Sequence, residues 1–351
     1  MEIKKIDFET SLKLTNKIYI DARAPSEYNI DHIAGAINAP LLDDAERGLI
    51  GKIYKQKGSV EARKKGVEIV APKLQRIIDF LMNETYLFEN VIFYCSRGGL
   101  RSYSLASFFR LVSDKNIYTI EKGYKGYRQY ILNYFENFNK KILVVDGFTG
   151  TGKTKILKEL QTRGFPVVDL EDIAKHRGSV FGGVGIDEQL NQKKFESLLY
   201  CEIEKYKKFD LIIVEGESRH IGKCVLPPKF YTIMNESPHI WLDTTDDYRV
   251  NVIKDDYLKN LKDFNDLIPP LEGLKNLIGK KNVEKLKKEL QNKNFDFVIL
   301  YLLKNYYDVL YKKGRLPESM FYKKTFFRNF EQGLKIVEEV YNELNCKRRK
   351  R

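Results

Sequence analysis

Closely spaced cysteine pairs and long apolar runs are both missing from this 351-residue sequence. The four cysteines are scattered, without the spacing of a zinc site or a disulfide framework: Cys95, Cys201, Cys224 and Cys346. No apolar run approaches membrane-spanning length, and residues 1–10 are charged rather than signal-like. These absences predict a cytoplasmic protein with reduced thiols and no membrane partner.

Basic side chains outnumber acidic ones, giving a formal net charge of +13 that lies mainly in the second half. Such a balance suits a polyanionic partner such as RNA. An ordinary lysine-rich surface explains the charge equally well. Hydrophobic residues make up 43% of the chain, so large cores can form, which argues against wholesale disorder. The length allows two ordinary domains, and no internal repeat is present.

One loop carries the clearest sign of chemistry. An apolar run, Val91–Tyr94, leads into Cys95, and a helix-like pattern, Tyr103–Leu111, follows the loop. A strand, a glycine-containing loop and a helix N-terminus in this order form a cup of backbone N–H groups that can hold an anion. Cys95 begins the cup, Arg97 lies within it and Arg101 ends it, and these three residues are the catalytic candidates. Cys95 is predicted to act as a thiolate nucleophile. The alternative is a buried cysteine at a strand end.

The segment Asp21–Asn38 contains Asp-x-Arg, Glu-Tyr and His-Ile-x-Gly-Ala-x-Asn in that order. This order resembles the rhodanese family. We expect its charged residues to brace the cysteine loop through ion pairs rather than to take part in chemistry. Short strands alternate with helices over residues 1–138, which predicts an α/β, rhodanese-like domain with a parallel sheet and helices on both faces.

A phosphate-binding motif follows in residues 139–245. The apolar strand Lys141–Val145 precedes a match to the P-loop template G-x-x-x-x-G-K-[ST], and an apolar-periodic helix, Ile156–Leu160, follows it. Glycines let backbone N–H groups approach phosphate oxygens, Lys153 supplies positive charge, and Thr154 can hold Mg²⁺. A P-loop NTPase-like α/β domain is therefore predicted. Its phosphate-binding residues are Gly147, Gly150, Gly152, Lys153 and Thr154.

Two other stretches are candidates for the same site. A glycine-containing loop after residue 175 could touch an anionic ligand, or could be a plain connection. The apolar strand Leu211–Val214 ends at Glu215, the Walker B position, where a carboxylate can organise Mg²⁺ together with Thr154. The alternative for this second stretch is a helix N-cap cluster. The candidates of this group are His176, Arg177, Ser179, Glu215, Glu217 and Arg219.

The C-terminal third, residues 246–351, has helical spacing and is predicted to be a mostly helical extension, part of or packed on the P-loop domain. Aromatic and basic residues interleave over Tyr301–Phe330. They could stack on bases and neutralise phosphates, although at helical spacing a core with a solvated face is the commoner outcome. The basic run Lys347–Arg351 is expected to be a flexible tail that could contact RNA.

A rhodanese-like domain fused directly to a P-loop domain is an uncommon domain combination. Together with the stretches Cys95–Ser102 and His176–Gly182, it resembles the tRNA 2-selenouridine synthase family over Asp21 to Gly222. The resemblance implies that wobble 2-thiouridine in tRNA is converted to 2-selenouridine with selenophosphate, through a geranylated intermediate made from geranyl diphosphate. It assigns Cys95 to selenium insertion, and Lys153 with Thr154 to the Walker A motif.

The resemblance also implies partners. The expected ones are the anticodon region of tRNA, the small-molecule co-substrates selenophosphate and geranyl diphosphate, and a selenophosphate-producing enzyme. No tightly bound cofactor is expected, although Mg²⁺ could act at the P-loop. The five residues between Cys95 and Arg101 form a wide loop, which suits a tetrahedral, phosphate-like anion such as selenophosphate.

Three other functions fit the same motifs. The first is a rhodanese-type sulfurtransferase with a regulatory P-loop domain. The second is a Cys-x5-Arg phosphatase fused to a nucleotide kinase. The third is a nucleotide-switched RNA-binding module without catalytic activity.

Overall fold

The computed structural model describes residues 2–176, 190–258, 264–310 and 321–349. The chain divides into two compact units. The first is Met1–Glu136 with Glu196–Tyr200, and the second is Asn137–Phe195 with Cys201–Arg351. Over the ranges that the structure describes, no helix is long and apolar enough to cross a membrane.

The first unit contains a five-stranded, entirely parallel sheet with the order β1-β5-β4-β2-β3. Its strands are β1 (Lys4–Ile6), β2 (Lys17–Asp21), β3 (Ile37–Asn38), β4 (Asn90–Tyr94) and β5 (Asn116–Ile120). Its helices are α1 (Phe8–Leu12), α2 (Pro25–Ile30), α3 (Asp44–Val70), α4 (Leu74–Glu84), α5 (Leu100–Arg110) and α6 (Gly123–Glu136). The parallel α/β architecture predicted for this part of the chain is confirmed.

Local sequence explains where these helices begin and bend. Pro25 occupies the first turn of α2, where its missing N–H costs nothing. Asp43 and Glu46 cap α3 reciprocally, each side chain accepting from the other residue's backbone N–H at 2.8 Å. Within α3, Gly58 has a φ of +86°, so the helix is kinked there.

The central strand β4 is buried along its whole length. Strands covered on both faces read as continuous apolar runs, which is why this segment could be recognised from sequence. Its inward side chains Val91 and Phe93 pack with Leu105 and Phe109 of α5. The loop from β4 to α5, which starts with Cys95, is therefore fixed at both ends by buried elements.

The second parallel sheet has the order β12-β11-β6-β8-β7. The remaining strands, including a short antiparallel pair β9–β10, are β6 (Lys141–Gly147), β7 (Val167–Val168), β8 (Leu211–Glu215), β9 (His220–Ile221), β10 (Cys224–Val225), β11 (His239–Asp243) and β12 (Phe321–Phe326). The helices in this part of the chain are α7 (Lys153–Thr162), α8 (Leu170–Ala174), α9 (Gln192–Lys205), α10 (Pro228–Glu236), α11 (Asp246–Leu258), α12 (Ile268–Gly273), α13 (Lys275–Ile278), α14 (Lys280–Gln291), α15 (Phe295–Leu302) and α16 (Phe330–Arg349).

The C-terminal third is mostly helical, as predicted from the sequence, but it also contributes one strand that the prediction missed. Phe321–Phe326 forms β12, which pairs in parallel with β11. Its side chains alternate between half-buried and exposed, the period-2 pattern of an edge strand. The helical interpretation overlooked this short alternation. From α16, Leu334, Val337 and Val340 pack into the sheet core, so the C-terminal region is part of the P-loop domain.

The expected flexible tail is partly helical. Helix α16 continues to Arg349, through most of the basic run, while residues 350–351 lie outside the described residues.

A buried ion pair ties the loop after β6 to the helical region. Arg249 of α11 is 2% exposed and forms a bidentate pair with Asp308, at 3.0 and 2.6 Å. Its Nε donates to the carbonyl oxygen of Thr149 at 2.9 Å, and its guanidinium lies 5.1 Å from the ring centre of Phe148. One side chain therefore positions both the loop and the segment that contains Asp308.

Breaking this pair should destabilise the second unit strongly. We expect Asp308→Ala to lower the free energy of unfolding by about 3–5 kcal/mol, because the buried guanidinium keeps only the longer, 3.5 Å pair with the half-exposed Asp246. The double variant Arg249→Met/Asp308→Leu should recover much of that loss. Urea denaturation gives both values. Asp255→Ala is the control, since it removes a 54%-exposed partner of Lys155 and should cost about 1 kcal/mol or less. Equal losses for both alanine variants would contradict the interpretation.

Candidate functional site

Cys95 lies at the bottom of the cup predicted from sequence. It directly follows β4 and is 3% exposed. Its Sγ accepts a hydrogen bond from the backbone N–H of Gly99 at 3.2 Å and another from Ser102 Oγ at 3.3 Å. Ser102 is in the first turn of α5, so the sulfur faces the N-terminus of that helix. These donors and the helix end stabilise negative charge on the sulfur, which is what a thiolate nucleophile needs.

The start of α6 supports the cysteine loop from beneath. The backbone N–H groups of Tyr124 and Lys125 donate to the carbonyl oxygens of Cys95 and Ser96, at 2.8 and 3.0 Å. Gly123 has a φ of +54°, and a Cβ on it would overlap the carbonyl oxygen of Cys95. Only glycine allows this approach. The sequence gives this stretch no predicted position in the site, although its glycines were the available signal.

The two arginines of the loop occupy different environments. Arg101 donates to Glu27 at 2.7 Å and to Ser96 Oγ at 3.1 Å, so it braces the loop through an ion pair. Ser96 also donates to Glu27, at 2.6 Å. Arg97 is exposed. The structure thus joins Arg101, Ser96 and Glu27 in one network directly after Cys95 in the loop, and it leaves Arg97 exposed.

The carboxylate of Glu27 is the centre of this bracing network. Burial by itself would raise its pKa. Hydrogen bonds from Arg101 and Ser96, together with the positive charges of Arg101 and Arg47, outweigh burial and lower the pKa of Glu27 to about 2. Glu27 is therefore ionised throughout the physiological range and holds the far side of the loop.

A second buried network lies at the end of β2, as expected for the rhodanese-like pattern. Arg23 pairs with Asp21 at 2.6 Å and donates to the carbonyl oxygen of Asp31 at 2.7 Å. Tyr124 donates to the carboxylate of Asp31 at 2.8 Å, and its ring centre lies 4.0 Å from the Arg23 guanidinium. Because Tyr124 belongs to the first turn of α6, this network also fixes the support beneath Cys95. These residues are structural.

The P-loop in the second unit has the predicted strand–loop–helix form. Gly150 and Gly152 have φ values of +84° and +79°, and Gly152 is the N-cap of α7. A Cβ on Gly147 would lie 2.5 Å from the carbonyl oxygen of Leu242, so β11 approaches the loop closely. Lys153 is 7% exposed, and its Nζ donates to the carbonyl oxygen of Gly147 at 3.0 Å. The lysine therefore lies across its own loop.

Glu215 occupies the expected position opposite the P-loop. It ends β8, accepts from Thr154 Oγ1 at 3.0 Å and lies 3.5 Å from Lys153 Nζ. The next element along the chain is β9 rather than a helix, so the N-cap alternative is wrong. The pairing of β6 with β8 brings the two carboxyl ends together, and with them the Walker A and Walker B positions.

More carboxyl groups converge here than the sequence indicated. Burial, with the charges of nearby carboxylates, raises the pKa of Glu171 to about 9 and that of Glu217 to about 8. The pKa of Glu215 is also raised by burial, although Lys153 and Thr154 oppose the shift. Burial likewise raises the pKa of Asp169. Asp169 and Glu171 directly follow β7, and this position at the carboxyl edge was the signal that could have identified them.

The oxygen donors at this site suit Mg²⁺ only together with a ligand. Within the described part of the chain, no group of three or more His, Cys, Asp or Glu side chains is arranged to hold a metal ion. Mg²⁺ is commonly bound by one or two side-chain oxygens plus substrate phosphates and water. Thr154 Oγ1 and the Glu215 carboxylate, already 3.0 Å apart, fit that role.

The remaining second-site candidates predicted from the sequence are His176, Arg177, Ser179 and Arg219. His176 is half-buried, and burial lowers its pKa. Arg219 is exposed, and its carbonyl oxygen accepts from Leu226 beyond the β9–β10 pair. Arg177 and Ser179 lie outside the described residues.

Comparisons with known proteins match both units. A family model described as the tRNA 2-selenouridine synthase AAA domain matches residues 140–332, and a rhodanese-like domain model matches residues 7–130. A relative named tRNA 2-selenouridine synthase from Nitrosomonas europaea is 38% identical, over 72% of this chain and 66% of that protein. Its namesake from Nitrosomonas eutropha is 36% identical, over 71% and 65%. A third, from Shewanella frigidimarina, is 32% identical over 86% of this chain and 89% of that protein. The chain thus covers slightly under two thirds of the length of the two Nitrosomonas relatives.

Neutralising Glu27 should destabilise the first unit in a pH-dependent way. Its lowered pKa contributes stability that is complete above pH 4.5 and is lost as the pH falls towards about 2. We expect Glu27→Gln to reduce the free energy of unfolding by about 3 kcal/mol at pH 7 and by less at pH 3, as measured by urea denaturation. Glu61→Gln, which breaks an exposed pair with Lys64, should cost about 1 kcal/mol or less. A loss of the same size at pH 7 and pH 3 would show that Glu27 does not act through its charge.

Proposed function

The chain belongs to the tRNA 2-selenouridine synthase family, and we propose that it converts wobble 2-thiouridine in tRNA to 2-selenouridine in two steps, one at each anion site. The observation that carries this proposal is the presence of two differently equipped sites. One is a thiol under a helix N-terminus after β4, and the other is a phosphate loop with lysine, threonine and carboxylates after β6. A two-step conversion with two phosphorus-containing co-substrates uses both.

In the first step, the P-loop binds the diphosphate of geranyl diphosphate. The sulfur of 2-thiouridine attacks the carbon that bears the diphosphate, a carbon–sulfur bond forms, and the carbon–oxygen bond breaks with departure of diphosphate. The backbone N–H groups of the loop and Lys153 stabilise the charge that builds up on the leaving oxygens. Lys153 is suited to this because its Nζ is buried against the loop.

Mg²⁺ is the proposed inorganic partner of this step. Thr154 and Glu215 would hold it beside the diphosphate oxygens, where it supplies positive charge to the leaving group. Burial, together with neighbouring carboxylates, raises the pKa values of Glu171 and Glu217, and a bound cation would lower them.

In the second step, the selenium of selenophosphate attacks C2 of the base, the bond from C2 to the geranylated sulfur breaks, and water cleaves the selenium–phosphorus bond to release phosphate. Alkylation turns the sulfur into a leaving group that departs as a thiol. Cys95 is the proposed catalytic residue for selenium insertion, since its sulfur lies in a cup that suits a phosphate-like anion. Arg101 positions the loop through Glu27, as their 2.7 Å hydrogen bond supports. The proposed partners are the anticodon region of tRNA and a selenophosphate-producing enzyme.

Removing the P-loop lysine should abolish the first step. We expect Lys153→Ala to reduce geranylation of 2-thiouridine tRNA at least 100-fold, because the leaving diphosphate loses its buried cation. Mass spectrometry of the wobble nucleoside measures this reaction. Lys155→Ala, on the same helix but with a 39%-exposed side chain, is the matched control and should remain active. Normal geranylation by Lys153→Ala would overturn the assignment of this site.

Replacing the thiol should separate the two steps. With geranyl diphosphate and selenophosphate both present, Cys95→Ser should form no 2-selenouridine while geranylated 2-thiouridine accumulates, because serine is not a comparable nucleophile at neutral pH. The exposed Cys346→Ser variant is the control. Equal loss of both products would mean that Cys95 is structural or is needed in both steps. Rapid sulfur transfer to cyanide without tRNA would instead favour the rhodanese-type sulfurtransferase.

A further inference from the structure

An apolar cavity of about 80 Å³ lies beside the P-loop, within the second unit. Its wall is formed by side chains of α11, α12, α14 and α15 and of the segment Leu303–Tyr307. That segment is π-helical, a rare backbone form that often occurs at functional sites. The lining is almost entirely aliphatic and aromatic, and nothing in the two proposed chemical steps has yet used it.

The cavity adjoins the phosphate site. Thr149, a residue of the P-loop, is part of its lining. Ile253 of α11 also lines it and contacts the next loop residue, since a Cβ on Gly150 would lie 3.0 Å from Ile253 Cδ1. Arg249 fixes this junction by donating to the carbonyl oxygen of Thr149 while paired with Asp308. A phosphate-binding loop and an apolar cavity thus share a wall.

A ligand that uses both features has a phosphate head and a hydrocarbon tail. We propose that this cavity binds the hydrocarbon chain of geranyl diphosphate while the diphosphate lies on the P-loop. This inference rests on the proposed function and adds the binding site for the tail. It also gives the C-terminal helices a role in substrate selection.

The size of the cavity favours a short chain. An apolar cavity of roughly 150 Å³ holds benzene, and this one is about half that size. It therefore takes the distal end of a geranyl chain, while the carbons nearest the diphosphate lie between the cavity and the loop. Each methylene buried in this way should strengthen binding about fourfold. Chains one isoprene unit longer should fit poorly.

The test compares two probes that share a head and differ in the tail. With the full chain and Mg²⁺, calorimetry should show that geranyl diphosphate binds at least 100-fold more tightly than inorganic diphosphate.

Ile299, half-buried in α15, lines the cavity. Ile299→Trp should fill the cavity and reduce that ratio to below about 10-fold, without changing the affinity for inorganic diphosphate. Leu300→Trp, at the neighbouring exposed position, is the matched control and should keep the wild-type ratio.

A second variant keeps the inference testable if Ile299→Trp folds poorly. Leu271→Ala removes a fully buried side chain from the cavity wall and should raise the affinity for farnesyl diphosphate relative to geranyl diphosphate at least 10-fold. Leu286→Ala removes an equally buried leucine of the same helical cluster that does not line the cavity, and should leave the preference unchanged.

The outcomes separate this inference from the proposed function. If geranyl diphosphate and inorganic diphosphate bind equally well to the wild type, the cavity does not bind the tail, although the P-loop assignment stands. If the wild type binds neither probe, the assignment of the P-loop as the diphosphate site is wrong, and the tail site is rejected with it. An unchanged ratio in Ile299→Trp, or an unchanged chain preference in Leu271→Ala, would overturn the tail site alone.

Discussion

Both candidate sites depend on one constraint: strands in the middle of a parallel sheet are covered on both faces, so chemistry is left to their carboxyl ends. Strand β4 is buried throughout and ends at Cys95, and β6 is almost wholly buried and ends at the P-loop. In each case the following helix directs its N-terminus back towards the strand end, where backbone N–H groups can meet an anion. The same arrangement of strand, loop and helix N-terminus thus positions a sulfur nucleophile in one unit and a phosphate loop in the other.

Electrostatic balance differs between the sites. Around Glu27, arginines and a hydroxyl outnumber the carboxylate, so its pKa falls to about 2 and the loop that carries Cys95 is held rigidly. Around Lys153, several carboxyl groups face one buried cation, and the pKa values of Glu171 and Glu217 rise to about 9 and about 8. At the first site, the charged network around Glu27 needs no added cation. The second is a site whose charges would be balanced by a cation, and the proposed Mg²⁺ with a diphosphate fits that requirement.

In the proposed function both sites act on tRNA, and the helical region adds selectivity for the diphosphate co-substrate. The P-loop recognises phosphate oxygens through backbone groups and cannot distinguish one diphosphate ester from another. An apolar cavity that shares Thr149 with that loop can make this distinction, because a hydrocarbon tail of limited length gains affinity by filling it. The buried pair of Arg249 and Asp308 keeps loop and cavity in a fixed relation.

The sequence alone determined what local spacing encodes: the alternating α/β order, the cysteine loop, the P-loop from Gly147 to Thr154, and Glu215 after a buried strand. It also predicted that Asp21 and Arg23 act structurally. Only the tertiary structure decided which distant residues meet. Gly123 supports Cys95, Glu27 holds Arg101, and Glu171 joins Glu215, because parallel pairing brings strand ends together across long stretches of chain. The strand Phe321–Phe326 was missed because six alternating residues within helical surroundings give a weak signal. The cavity has no local pattern at all, since its lining runs from Thr149 to Tyr307 and becomes contiguous only on folding.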